Sequence, residues 1–376
     1  MKIKYLGLIL LAVLILFGAV ACKSTPPEPE PEPPAPPPPP APTVVIPAPD
    51  PNLAAADQAS LSNLNAAIER TENLRNLVHD FNGPTYFPAE WNAAEALYSS
   101  AQAGRKVTVG DVRATLPLYN AAASAYEALA DKTLPRYAAI LESEVVAVRD
   151  SAIAAGAGYL AQDYLWGTDE FAAGALAKYE AKEFYQARDD GLLVRDAYRA
   201  LVTGVEAYKI RLEIEDRDFV KYDSANIDAA DQIAFSALYD YESHNIASAA
   251  GKAGDARVRY NHSLIKAREA YSSDNAAAAS AERQRALDLR ANVAVRQAFE
   301  NADGIYNQGL AAAQRSSFDQ SASLFIQART MFEAVTADTR ERRRIAEQAL
   351  RAAEQKMVES DEIAHRAELI LEGGVR

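Results

Sequence analysis

Phe318-Asp319-Gln320-Ser321-Ala322-Ser323-Leu324-Phe325-Ile326-Gln327-Ala328 is the stretch from which the fold can be read. Phe318, Ser321, Phe325 and Ala328 stand three, four and three residues apart, so they share one stripe of an α-helix. Large and small side chains alternate along that stripe, which lets a second helix come close. Ser316-Ser317 just before it reads as a turn. A helix with a packing face is therefore predicted to open at Phe318.

The same spacing recurs upstream as Val112, Thr115, Tyr119, Ala122, as Phe184, Ala187, Gly191, Val194, and as Ile246, Ala249, Ala253, Ala256. Successive copies begin 72, 62 and 72 residues apart. Partner helices are marked by Trp91, Ala94, Tyr98 and by Phe299, Ala302, Tyr306. In these residues the chain resembles the tetratricopeptide (TPR) family of helical hairpins, in which aromatic and small positions alternate at those spacings. The resemblance covers most of residues 85 to 335. It implies an all-α array of long antiparallel helical hairpins, a TPR-like solenoid or bundle. The copies stand about twice as far apart as the family's repeat of roughly 34 residues, and Phe299 lies too far ahead of Phe318. Longer hairpins, or alternating clear and degenerate units, are expected.

Composition agrees with helix. Nearly half the residues are apolar, and 15 of the 19 prolines fall between Pro26 and Pro51, leaving the rest of the chain free to run in long helices. Asp50-Pro51 reads as a helix start, and Leu61, Leu64, Ile68 continue as an apolar stripe. Breaks are predicted at Gly83-Pro84, Gly104, Gly110-Asp111, Thr133 to Pro135, Gly167-Thr168-Asp169, Asp216 to Asp218, Ser272 to Asn275 and Ser316-Ser317. The helical domain is placed at residues 52–339.

Residues 340–376 change register. Ala346, Leu350, Ala353, Met357, Ser360, Ala364, Ala367 and Leu371 alternate four and three apart, a heptad seam. The expectation is a helix that caps the domain; the alternative partner is the same helix of a second molecule. Arg340, Arg342, Arg343 and Arg344 read as a solvated face tied into helical pairs.

At the other end, Lys2 and Lys4 precede an apolar run from Leu6 to Phe17, and small residues lead into the single cysteine, Cys22. This reads as a signal peptide over residues 1–21. Ala19-Val20-Ala21-Cys22 resembles the bacterial lipobox, with Ala19 where Leu is usual. The resemblance implies lipid on the Cys22 sulfur, cleavage after Ala21, and a mature chain anchored to a membrane surface by that lipid. The site would be the periplasmic face of the outer membrane or the outer face of the inner membrane. Residues 22–51 then form the lipidated cysteine and a proline-rich stalk, whose 26 residues from Pro26 to Pro51 reach about 80 Å at 3.1 Å per residue if extended as polyproline. Such tracts also serve as ligands of proline-binding domains.

A net charge of −13 opposes nucleic-acid binding. His79, His244, His262 and His365 lie far apart and form no two-histidine helical motif, and the acidic cluster Glu213, Glu215, Asp216, Asp218 lacks the glycine and spacing of a calcium loop. No glycine-rich phosphate loop or nucleophile elbow is present. The expectation is a chain that is not an enzyme, with no metal and no cofactor beyond the lipid on Cys22. It is read as an envelope scaffold whose partner is another envelope protein or a peptide. Tyr98, Tyr119, Tyr179, Tyr239 and Tyr306 near the hairpin faces are the candidate partner-binding side chains. Two alternatives stand beside this: a ligand-handling companion of a solute receptor, and a passive envelope spacer.

Overall fold

Alanine-rich segments hold helix until a residue adopts positive φ, and in this chain those residues are few and regularly placed. A computed structural model describes residues 55–104 and 109–373. The expected signal peptide, the lipobox, Cys22, the stalk and the Asp50-Pro51 start lie outside the described residues. Within them the chain is all-α: twelve helices and one 3-10 turn, with no strand.

The helices fall into two kinds. Long ones are α1 (Ala55–Asp80), α4 (Val109–Ala155), α7 (Phe184–Asp216), α9 (Ile246–Asp288) and α12 (Phe318–Gly373). Between them lie the shorter α3 (Pro88–Ala103), α6 (Gln162–Glu180), α8 (Ser224–Glu242) and α11 (Arg296–Gln314). A single helical turn introduces each short helix: α2 (Gly83–Tyr86), α5 (Ala157–Leu160), the 3-10 turn Val220–Tyr222, and α10 (Ala291–Ala294).

Among the described residues, seven helix ends are made by a left-handed residue, whereas α3 ends at Gly104 in right-handed geometry. Asn82, Gly156, Asp218 and Arg290 end long helices, and Lys182, His244 and Ser316 end short ones. Gly156 and Lys182, Asp218 and His244, Arg290 and Ser316 are each 26 residues apart. Phe219 N donates to Ile214 O at 2.8 Å and Asp218 N to Glu215 O at 3.0 Å, the paired bonds of a Schellman closure. The same two bonds close the helices before Glu183, Asn245 and Ser317. Only one of the seven turning residues is glycine, although an L-residue there costs roughly 1–2 kcal/mol.

The packing repeats with the turns. Helices α1 and α3 pack on α4, α4 and α6 on α7, α7 and α8 on α9, and α9 and α11 on α12. Each of α4, α7 and α9 therefore closes one three-helix cluster with its first half and begins the next with its second. One buried cluster joins Leu64, Ile68, Ala94, Tyr98, Tyr119 and Tyr126. Its successors centre on Leu165, Val194 and Tyr198, on Ile214, Ile227 and Tyr260, and on Phe299, Ala302 and Phe332. The four stripes read from sequence are the packing faces: all sixteen residues are buried except Phe184 and Phe318, which are partly so.

Three expected breaks lie inside helices. Thr133 to Pro135 runs through α4, which also holds Pro117; Thr133 and Leu134 are buried there, so packing on both sides outweighs the amide lost at proline. Gly167-Thr168-Asp169 lies within α6, where the Thr168 hydroxyl bonds the Tyr164 carbonyl at 2.7 Å and the Tyr241 hydroxyl at 2.6 Å. Ser272 to Asn275 lies within α9, where Ser272 Oγ meets Ser321 Oγ of α12 at 2.9 Å. In the last two, polar residues that look like turn formers are bonds between helices.

The segment from 340 onward is not a separate capping element. It continues α12 without interruption, and every side chain from Arg340 to Ile370 is solvent-exposed, so it covers nothing in the domain.

Candidate functional site

A groove opens between the second half of α4, the short helix α6 and the first half of α7. Its volume is about 600 Å³, and its walls are mostly apolar: Tyr137, Leu141, Val145 and Val146 from α4, Ala172, Leu176 and Tyr179 from α6, and Phe184 with Gly191 from α7. Leu176 and Val146 remain 59% and 49% exposed, too much for core residues of this size. One unit on, the place equivalent to the Phe184 end of the groove is packed, although Leu238, the counterpart of Leu176, is 41% exposed. There Ala197, Ala200 and Ile246 are buried together, with Leu193 and Tyr241 packed against them. The position of Gly191 leaves room for Leu141, whose side chain would lie 2.8 Å from a Cβ at 191.

The two ends of the groove carry charge that is already partnered. At one end Arg149 Nε and Nη2 donate to the two oxygens of Asp169, each at 2.7 Å, and the Tyr198 hydroxyl donates to Asp169 Oδ1. At the other, the Arg188 guanidinium sits 5.4 Å from the Phe81 ring and 5.1 Å from the Tyr185 ring, and it pairs with Asp189 at 2.9 Å. The Arg149 hydrogen bonds lower the Asp169 pKa against the opposing effect of burial, and Tyr198 adds to the lowering. Burial first, and then the bond to Asp169, push the Tyr198 phenol well above its ordinary value.

This clasp is one of a series. Arg75 binds Glu95, Arg211 binds Asp231 and Arg283 binds Asp303, in every case across 20 residues. Tyr126 donates to Glu95 and Tyr260 to Asp231, both at 2.5 Å, again joining the long helix to the short one. Sequence reading did not find the clasps. Their signal was an arginine followed 20 residues later by a carboxylate, repeated at intervals of 74, 62 and 72 residues, close to those of the stripes.

The tyrosines named from sequence separate into three kinds. Tyr98 and Tyr119 are in the core, 9% and 1% exposed with rings 6.2 Å apart, so neither can meet a partner. They are large because three helices converge on them. Tyr306 is half-buried against Phe325 at 5.4 Å. Tyr179 lines the groove and stacks edgewise on Phe184 at 5.5 Å, while Tyr239 is 71% exposed and lies outside it. The structure brings only Tyr179 to the groove. Leu176 and Val146, its most accessible large apolar residues, carried no signal in a helix-rich sequence where any Leu or Val reads as core.

Three members of the acidic cluster have basic neighbours. Glu213 pairs with Arg217 at 3.2 Å and Arg268 at 2.5 Å, Glu215 with Arg211 at 3.4 Å, and Asp218 with Lys221 at 2.7 Å. His79 lies beside Asp80 and Trp91, and His244 against Phe171. Among the described residues no helix is long and apolar enough to cross a membrane. No protein-family model, curated protein or solved structure matches the chain.

Proposed function

We propose that the chain is a lipid-anchored cell-envelope lipoprotein that acts as a non-catalytic, TPR-like helical scaffold, and that it holds an apolar helix or peptide of a partner protein in the groove between α4, α6 and α7. The observation that carries this reading is the groove itself, where Leu176 and Val146 stay half exposed while the charges at both ends are paired. An apolar-faced helix laid in such a trough buries its own side chains and the groove's together. At about 25 cal/mol per Å² of apolar area, a few such side chains supply several kcal/mol before ordering costs. The non-catalytic part of the reading is supported by the perturbed groups. Asp169 and Glu95 are held as anions by arginines, and the buried phenols beside them are poorer acids than free tyrosine, as suits clasps between helices.

Affinity capture tests it. The full chain, solubilised in detergent and used as bait in solubilised envelope, is expected to retain a specific protein that is lost with the double variant Leu176→Glu, Val146→Glu. Equal retention by both baits contradicts the reading.

A second reading draws on the same groove. Its volume falls within the roughly 300–1,000 Å³ usual for small-molecule sites, so the ligand-handling alternative keeps a place to work. On that reading the purified full chain carries a small apolar molecule, and the double variant does not.

A further inference from the structure

From Arg340 to Ile370, α12 runs about 45 Å with its whole circumference in solvent. Leu350 and Met357, one heptad apart, are 62% and 67% exposed. The positions between and beside them on the same seam, Ala346, Ala353, Ser360 and Ala367, are all small. From Ala346 to Ala367 the seam holds only small or apolar residues, Ser360 being its one hydroxyl, and this seven-residue repeat fits a partner that is itself a helix, because a second helix stays in register with it.

The flanks say which helix. On one side of the seam stand Glu347, Glu354, Asp361 and Glu368, seven residues apart and all acidic. On the other side stand Arg342 and Lys356, with Ala349 and Ile363. In an antiparallel pair of these helices the acidic flank would face its own copy, four carboxylates against four. In a parallel, in-register pair each residue on the basic flank faces the residue five positions on in its partner. Arg342 then meets Glu347 of the second copy, and Lys356 meets Asp361. The small residues let the two backbones approach, and Leu350 and Met357 fill the space between them.

We infer that residues 340–370 of α12 form a parallel, two-stranded coiled coil with the same segment of a second copy of this chain. The inference is independent of what occupies the groove.

Cysteine scanning of the full chain in detergent tests it. Ala346→Cys and Ala367→Cys, each made alone and oxidised, are both expected to yield a disulfide-linked dimer. Gln355→Cys, on the outer face, is expected to yield none. Any link through Cys22 appears in the unsubstituted chain and is subtracted. Density-matched sedimentation is expected to give a dimer that Leu350→Glu, Met357→Glu converts to monomer while the thermal transition of the helical domain stays unchanged. Linking at neither or only one of the two seam positions, linking only when the two variants are mixed, or a monomeric unsubstituted chain overturns the inference.

Discussion

Tyr260 donates its hydroxyl hydrogen to Asp231, 29 residues earlier, at 2.5 Å, and Tyr198 stands in the same relation to Asp169 one unit before. Each bond ties a long helix to the short helix preceding it, and each acceptor is also held by an arginine from the long helix before that. Three helices thus meet at one carboxylate. In the last unit Asp303 keeps its arginine, but the residue 29 positions on is Phe332, whose buried ring packs on Phe299 at 5.5 Å.

Phe332→Tyr is therefore expected to complete the fourth clasp and to stabilise the domain by about 1 kcal/mol. Tyr198→Phe is expected to cost about 1–2 kcal/mol, because the hydroxyl is bonded to an anion that remains partly exposed. Urea midpoints at unchanged slope measure both. A Phe332→Tyr chain less stable than the original would mean that its hydroxyl is buried without reaching Asp303.

The clasps also set the pH profile. Asp169 is pulled below the usual carboxylate range by Arg149, and in Glu95 the bonds from Arg75 and Tyr126 together outweigh the opposing effect of burial. Their contribution is in place above the unfolded values near pH 4 and is lost as pH falls through the lowered folded values. Tyr126, Tyr198 and Tyr260 are pushed upward, first by burial and then by their anionic acceptors. Their contribution is in place below about pH 10 and is lost as pH rises from there through the raised folded values. Thermal midpoints are expected to form a plateau falling at both ends, with a shallower alkaline fall in Tyr198→Phe. An unaltered alkaline slope in that variant would contradict the assignment.

Glycines separate packing from propensity. A Cβ at Gly309 of α11 would lie 2.8 and 2.9 Å from Phe325 ring atoms, and that ring is 1% exposed and cannot swing away. Gly309→Ala is expected to destabilise by about 1–3 kcal/mol despite its better helix propensity. A Cβ at Gly251 of α9 meets nothing within 4 Å, so Gly251→Ala is expected to stabilise by up to about 1 kcal/mol. Opposite signs in the two urea midpoints are the check.

Helical class and packing stripes were legible because a spacing of three and four survives any detail of connection. Turn positions were less so. Prediction from glycine, proline and polar runs placed a break at Ser316 correctly. It missed Arg290, because left-handed helix ends here are taken by Arg, Lys and His as well as by glycine, and it broke α9 at Ser272. Ser272 bonds across to α12 and Thr168 to Tyr241, contacts over 49 and 73 residues that no local window contains. The groove was illegible for a related reason. Leu176 and Leu165 lie on the same helix, and only the placement of α4 leaves one exposed and the other buried.

Photo-crosslinking tests the central claim most directly. A photoreactive amino acid at position 176 of the full chain, activated in intact envelope, is expected to give one discrete protein adduct, absent when the probe is moved to the exposed position 239 outside the groove. No protein adduct at 176, or the same adducts at both positions, would contradict the reading of this chain as a scaffold that works through the groove.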